Sequence, residues 1–83
     1  MKAHDGTVIV KGTISDNTAT DQGGGIHNRD GGTITFEANN LIESNTAAIN
    51  GGGIYNMAGA TITGTREYGS GNTPNNCVGV GCP

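Results

Sequence analysis

Six carboxylates, Asp16, Asp21, Asp30, Glu37, Glu43 and Glu67, and three basic residues, Lys11, Arg29 and Arg66, are the side chains that could hold a calcium ion and take a proton from a substrate. That chemistry needs carboxylate oxygens gathered around calcium and a base placed to take a proton. Their spacing does not gather them. The string Asn17-Thr18-Ala19, then Gly23-Gly24-Gly25-Ile26-His27-Asn28, returns 28 residues later as Asn45-Thr46-Ala47, then Gly51-Gly52-Gly53-Ile54-Tyr55-Asn56. Laid on itself at that offset, the chain puts Asp16 on Ser44 and Asp30 on Ala58, so no acidic column forms and the charges read as a solvated face. His27 has no Ser or Cys neighbour to activate, and Ser15, Ser44 and Ser70 stand beside turns, so a nucleophilic triad has no support. The calcium-binding pattern Gly-Gly-x-Gly-x-Asp is absent. No catalytic residue, metal ligand or cofactor is assigned, and the chain reads as a non-enzyme.

Binding surfaces are a different matter. His27 and Tyr55 share one repeat position beside an inward Ile, so both face outward. Stacked ring over ring they would make a small platform for sugars, although a cross-rung stabilising pair is the favoured role. Thr33 and Thr35 lie one coil below Thr61 and Thr63, a flat array of the kind that could order ice. The first rung breaks that array with Thr7-Val8-Ile9, and outward Thr is the ordinary filler of a strand's wet face. Asn17, Asn45 and Asn72 align in one column and Asn28 and Asn56 in another. Stacked amides can donate and accept along such columns, which makes them a structural ladder. Cys77 and Cys82 could form a disulfide across the flexible Val78-Gly79-Val80-Gly81, the favoured state over free thiols or a metal half-site.

The elements that must carry these residues follow from the repeat. A fixed period of this size marks a solenoid, in which one supersecondary unit stacks on the next. Sixteen glycines, few charges (13%) and abundant Thr, Asn and Ile disfavour helix and favour short β-branched strands between Gly/Asn turns. Within Thr33-Ile34-Thr35-Phe36 and Thr61-Ile62-Thr63 apolar and polar residues alternate, so Ile34, Phe36 and Ile62 face one side. Stacking puts Ile26 under Ile54, Ile34 under Ile62 and Ile14 under Ile42. Deleting two residues from the longer rung brings Val8 and Val10 under Ile34 and Phe36. The rungs run over 6–22, 23–50 and 51–76, with an N-terminal tail at 1–5 and a cysteine-containing tail at 77–83. The net charge of −3 and the absence of a basic patch argue against nucleic acid, and Val8-Ile9-Val10 is too short to insert in a bilayer.

Thr33-Ile34-Thr35-Phe36-Glu37-Ala38-Asn39 and the following Gly-rich string resemble the Phe-x-x-Asn and Gly-Gly-x-Ile motifs of polymorphic outer-membrane proteins and autotransporter passengers. The wider pattern from Ser44 to Asn56 resembles right-handed parallel β-helix repeats of the pectate-lyase-like superfamily. The likeness covers roughly residues 6 to 77. It implies an all-β, right-handed parallel β-helix of about two and a half to three coils. It also implies a structural or adhesive role in a secreted or cell-surface protein. Only one Phe-x-x-Asn is present, and Gly replaces the Ala of the usual Gly-Gly-Ala motif. Open coil ends expose strand edges, so the expected partners are other coils of a longer solenoid, a second copy, or a host-surface or carbohydrate ligand. The alternatives are a carbohydrate-binding or polysaccharide-lyase-like fragment and an ice-binding solenoid.

Overall fold

Short β-branched runs closed by Gly and Asn turns give strands of only two to four residues. The computed structural model of the protein describes residues 2–4 and 6–79. Among them are eleven strands and no helix. The first circuit holds β1 (Lys2–His4), β2 (Thr7–Val10), β3 (Thr13–Ser15) and β4 (Thr18–Ala19). The second holds β5 (Ile26–Arg29), β6 (Thr33–Phe36), β7 (Leu41–Glu43) and β8 (Thr46–Ala47). The third holds β9 (Ile54–Asn56) and β10 (Thr61–Thr63), and β11 (Cys77–Val78) begins a fourth.

Every pairing between these strands is parallel, each with its counterpart one circuit away: β1-β5-β9-β11, β2-β6-β10, β3-β7 and β4-β8. Isolated parallel bridges extend the last two columns, Ile42 to Tyr68 and Thr46 to Thr73. The chain is therefore a small parallel β-helix. Ile26 pairs with Ile54, Ile34 with Ile62 and Ile14 with Ile42, at the 28-residue offset of the repeat. Val8 and Val10 pair with Ile34 and Phe36, which confirms the two-residue shortening of the first circuit.

The core is a column inside the coil. Ile26, Ile34, Ile42 and Ile54 are wholly buried; Val10, Phe36 and Cys77 are nearly so; Val8, Ile14, Ile62 and Tyr68 pack on them half-buried. Each fully buried Ile is worth about 2–3 kcal/mol of burial. The triple-glycine corner makes this closeness possible. Gly23 holds φ +73°, and a Cβ on Gly24 would stand 2.5 Å from the Thr46 carbonyl oxygen and 2.6 Å from that of Gly52.

Two expectations need correction. Residues 2–4 are not a tail: they run as β1 along β5, with Ala3 opposite Asn28. Cys77 and Val78 likewise leave the expected C-terminal tail and pair with Ile54 and Tyr55, where Cys77 closes the core. Both ends rejoin the sheet because an edge strand still offers unpaired N–H and C=O groups. Cys82, the second half of the expected disulfide, lies outside the described residues.

Candidate functional site

Amides, not carboxylates, occupy the buried polar positions. Asn45 is wholly buried at the corner between β7 and β8. Its Oδ1 accepts both the backbone N–H and the Nδ2 of Asn17, each at 3.1 Å. Its own Nδ2 donates to Ile14 O at 3.0 Å and to Asn72 Oδ1 at 3.1 Å. Asn72 Nδ2 passes the chain to Ile42 O at 2.9 Å and Asn76 Oδ1 at 3.0 Å. In the second column Asn28 Nδ2 donates to Asn56 Oδ1 at 2.8 Å, and Asn56 Nδ2 to Ala60 O at 3.0 Å. Both columns run with one polarity. Asn28 Oδ1, at the upstream end, is buried without a hydrogen-bond partner among the described residues. These side chains satisfy the backbone where the chain turns between sheets, as buried polar groups must.

A fifth buried amide escapes the repeat. Asn40 donates to Glu37 O at 2.7 Å and Thr65 O at 2.8 Å, and accepts from the backbone N–H of Glu67 at 2.9 Å. Asn39, the Asn of the single Phe-x-x-Asn, is instead exposed with φ +69°. A left-handed Asn directly before a buried one is a turn signal legible in the doublet Asn39-Asn40, but no copy lies one period away to reveal it.

The outward pairs are as follows. The His27 and Tyr55 rings lie 5.4 Å apart at 76°, so they meet edge to face and not stacked in parallel. This is the preferred arrangement of ring quadrupoles. Thr63 and Thr35 share a hydroxyl hydrogen bond of 3.2 Å, and Thr61 stands opposite Thr33. In the third row, Ile9 takes the place of a threonine opposite Thr35 and is more than half exposed. The charges are dispersed. Lys11 meets Glu37 at 3.7 Å and Arg29 meets Asp30 at 3.5 Å, both on the surface. Among the described residues no three of His, Cys, Asp or Glu come close enough to hold a metal ion. Burial pushes the Tyr68 phenol above its ordinary range, with the Arg66 guanidinium pulling the other way.

A concave surface lies at the corner that leads from β4 into β5. A cleft of about 440 Å³ is lined by 18–24 together with His27 and Arg29. The triple glycine sets its wall: Gly23 N–H donates to Asn50 O at 3.2 Å and Gly24 N–H to Gly51 O at 3.1 Å. Nothing in the repeat marks this cleft, because the repeat records what the corners share and the cleft is made of what differs.

Residues 11–29 span β3, β4, the glycine corner and β5; residues 41–57 span β7, β8, the next glycine corner and β9. Both segments match the Chlamydia polymorphic membrane protein repeat. The matched polymorphic membrane protein unit is thus one structural piece seen twice: the inward Ile of the third strand, the ladder Asn, the triple glycine and the inward Ile of the next circuit. No curated protein and no solved structure matches the chain.

Proposed function

We propose that this chain is a non-catalytic, structural and adhesive β-helix segment of a secreted or cell-surface protein. One observation carries the reading. The two units similar to the polymorphic membrane protein repeat keep the inward residues and change most of the outward ones. Ile14 and Ile42, Ile26 and Ile54, and Asn28 and Asn56 repeat, while His27 becomes Tyr55, Arg29 becomes Met57 and Asp21 becomes Ile49. A rigid coil with a variable outer face suits display and not turnover. The wider likeness to pectate-lyase-like β-helices belongs to this reading as an architecture without their chemistry, since the carboxylates stay apart. Its open edges, β2 at one end and β10 at the other, suit stacking on further coils or on a second copy.

Adhesion is tested with the purified chain coupled to beads and laid on an epithelial monolayer. Folded chain should retain beads well above the level of an Ile54→Asp variant, whose charge in the wholly buried column abolishes the fold. Equal retention by the two would overturn the adhesive reading.

A further inference from the structure

We infer that the cleft at the β4–β5 corner is a binding site for a neutral, hydroxyl-rich sugar unit. Its volume of about 440 Å³ lies in the range of small-ligand pockets. Much of the backbone around it is already committed: Ala19 O accepts from Ala48 N–H at 3.1 Å, Asp21 O from Ile49 N–H at 3.0 Å, and the glycine N–H groups serve the next circuit. Recognition therefore falls to side chains. Thr18, Thr20, Asp21 and Gln22 line the cleft and make no side-chain hydrogen bond among the described residues. Two hydroxyls, a carboxylate and an amide supply acceptors and donors together, the mixture that matches neighbouring sugar hydroxyls. Arg29 and His27 close the other side.

The same corner one circuit on shows that the fold does not demand these residues. Its backbone repeats, but Thr20, Asp21, Gln22 and Arg29 give way to Ala48, Ile49, Asn50 and Met57. Ile49 and Met57 are exposed there, beside Tyr55. A polar cleft thus opens beside an apolar strip, one coil or about 5 Å along the axis. Sugars present that division themselves, hydroxyls at the rim and C–H groups on the ring face. Charge selects the neutral kind. Arg29 is paired with Asp30 at 3.5 Å, and Asp21 adds a second carboxylate, so the described lining side chains hold no surplus of positive charge for an acidic sugar.

The inference deepens the adhesive reading by naming what the surface would hold. It is tested on the soluble chain by amide chemical-shift titration with maltotetraose, cellotetraose, mannotetraose and chitotetraose, and with tetragalacturonate as the acidic comparison. Saturable shifts at 18–24, His27 and Arg29 with at least one neutral tetrasaccharide, at a Kd of roughly 1 mM, are expected. The double variant Asp21→Ile with Arg29→Met copies the next corner and should weaken binding about tenfold or more at unchanged circular dichroism. Gln22→Ala, which touches no hydrogen bond of the fold, should weaken it too. The proposal is overturned by no saturable shift up to roughly 10 mM, by shifts that map elsewhere, by tighter binding of tetragalacturonate, or by variants that bind as well as the parent. Bead retention that fails while the sugar binds would remove adhesion and leave the cleft standing.

Discussion

At the residue scale the protein depends on asparagine more than on any charged group. A buried amide offers two donors and two acceptors, and the Asn45 side chain makes four hydrogen bonds to three residues, joining three circuits. Removing it leaves the Ile14 carbonyl and the Asn72 amide oxygen short of donors inside the coil, where an unsatisfied group costs about 1–3 kcal/mol. Asn45→Ala should therefore lower stability by about 3 kcal/mol or more. Asn17→Ala, at the exposed upstream end, should cost about 1 kcal/mol or less. Urea melts of the two variants beside the parent check this; equal losses would mean that the ladder merely fills space. The Asn columns were legible because the same residue recurs at offsets of 27 or 28 residues. Asn40 was not, because a single buried Asn looks like any turn residue until Thr65 and Glu67 are seen to pack against it.

At the element scale each strand is too short to persist alone, and its position is set by the strand beneath it. Ile34 pairs above Val8 and below Ile62 and is wholly buried, so Ile34→Ala should cost about 3 kcal/mol, within the range of core truncations. Ile9 sits on the same sheet but is mostly exposed, and Ile9→Ala should change the urea midpoint little. The third column ends at Tyr68, which bridges Ile42 and carries a phenol whose pKa burial has raised. The fold holds that proton more tightly than the unfolded chain does. Its contribution is complete below the unfolded value of 10.0 and is lost as pH rises through the higher folded one. Stability should fall above about pH 10, and Tyr68→Phe should remove this group's share of the fall, read as urea midpoints in parallel pH series. An identical decline in both proteins would assign it to other groups. Alternation and the repeat made most strands readable. The terminal ones escaped because their offsets differ: Lys2 pairs 25 residues from His27, and Cys77 pairs 23 residues from Ile54. Turn lengths change at the ends of the stack, and a search at one period passes over them.

At the scale of the whole molecule the coil has two unlike ends. Among the described residues the β2-β6-β10 sheet is unpaired along β2 on one side and along β10 on the other. The polarity is the same throughout, so a second copy set head to tail would lay Thr7, Val8 and Ile9 against Thr61, Ile62 and Thr63, once its β1 or the first copy's β11 yields the place beside β9 that both would occupy. That is the register in which Thr33, Ile34 and Thr35 already hold both strands. Such a contact is heterologous and does not close, so it predicts a ladder of species and not a dimer. The apolar area at the join is small, with Ile9 the main exposed contributor on the β2 side, which places the association in the weak range. Sedimentation velocity should then show a weight-average mass that climbs steadily with concentration, at a β-rich circular dichroism spectrum that does not change. Ile9→Lys sets a charge on the exposed edge and should return the chain to monomer without lowering its melting temperature, since that side chain packs on nothing inward. A parent that stays monomeric at every concentration would mean that the edges are blunted by their own side chains. A lysine variant that associates as before would place the contact on another face of the coil.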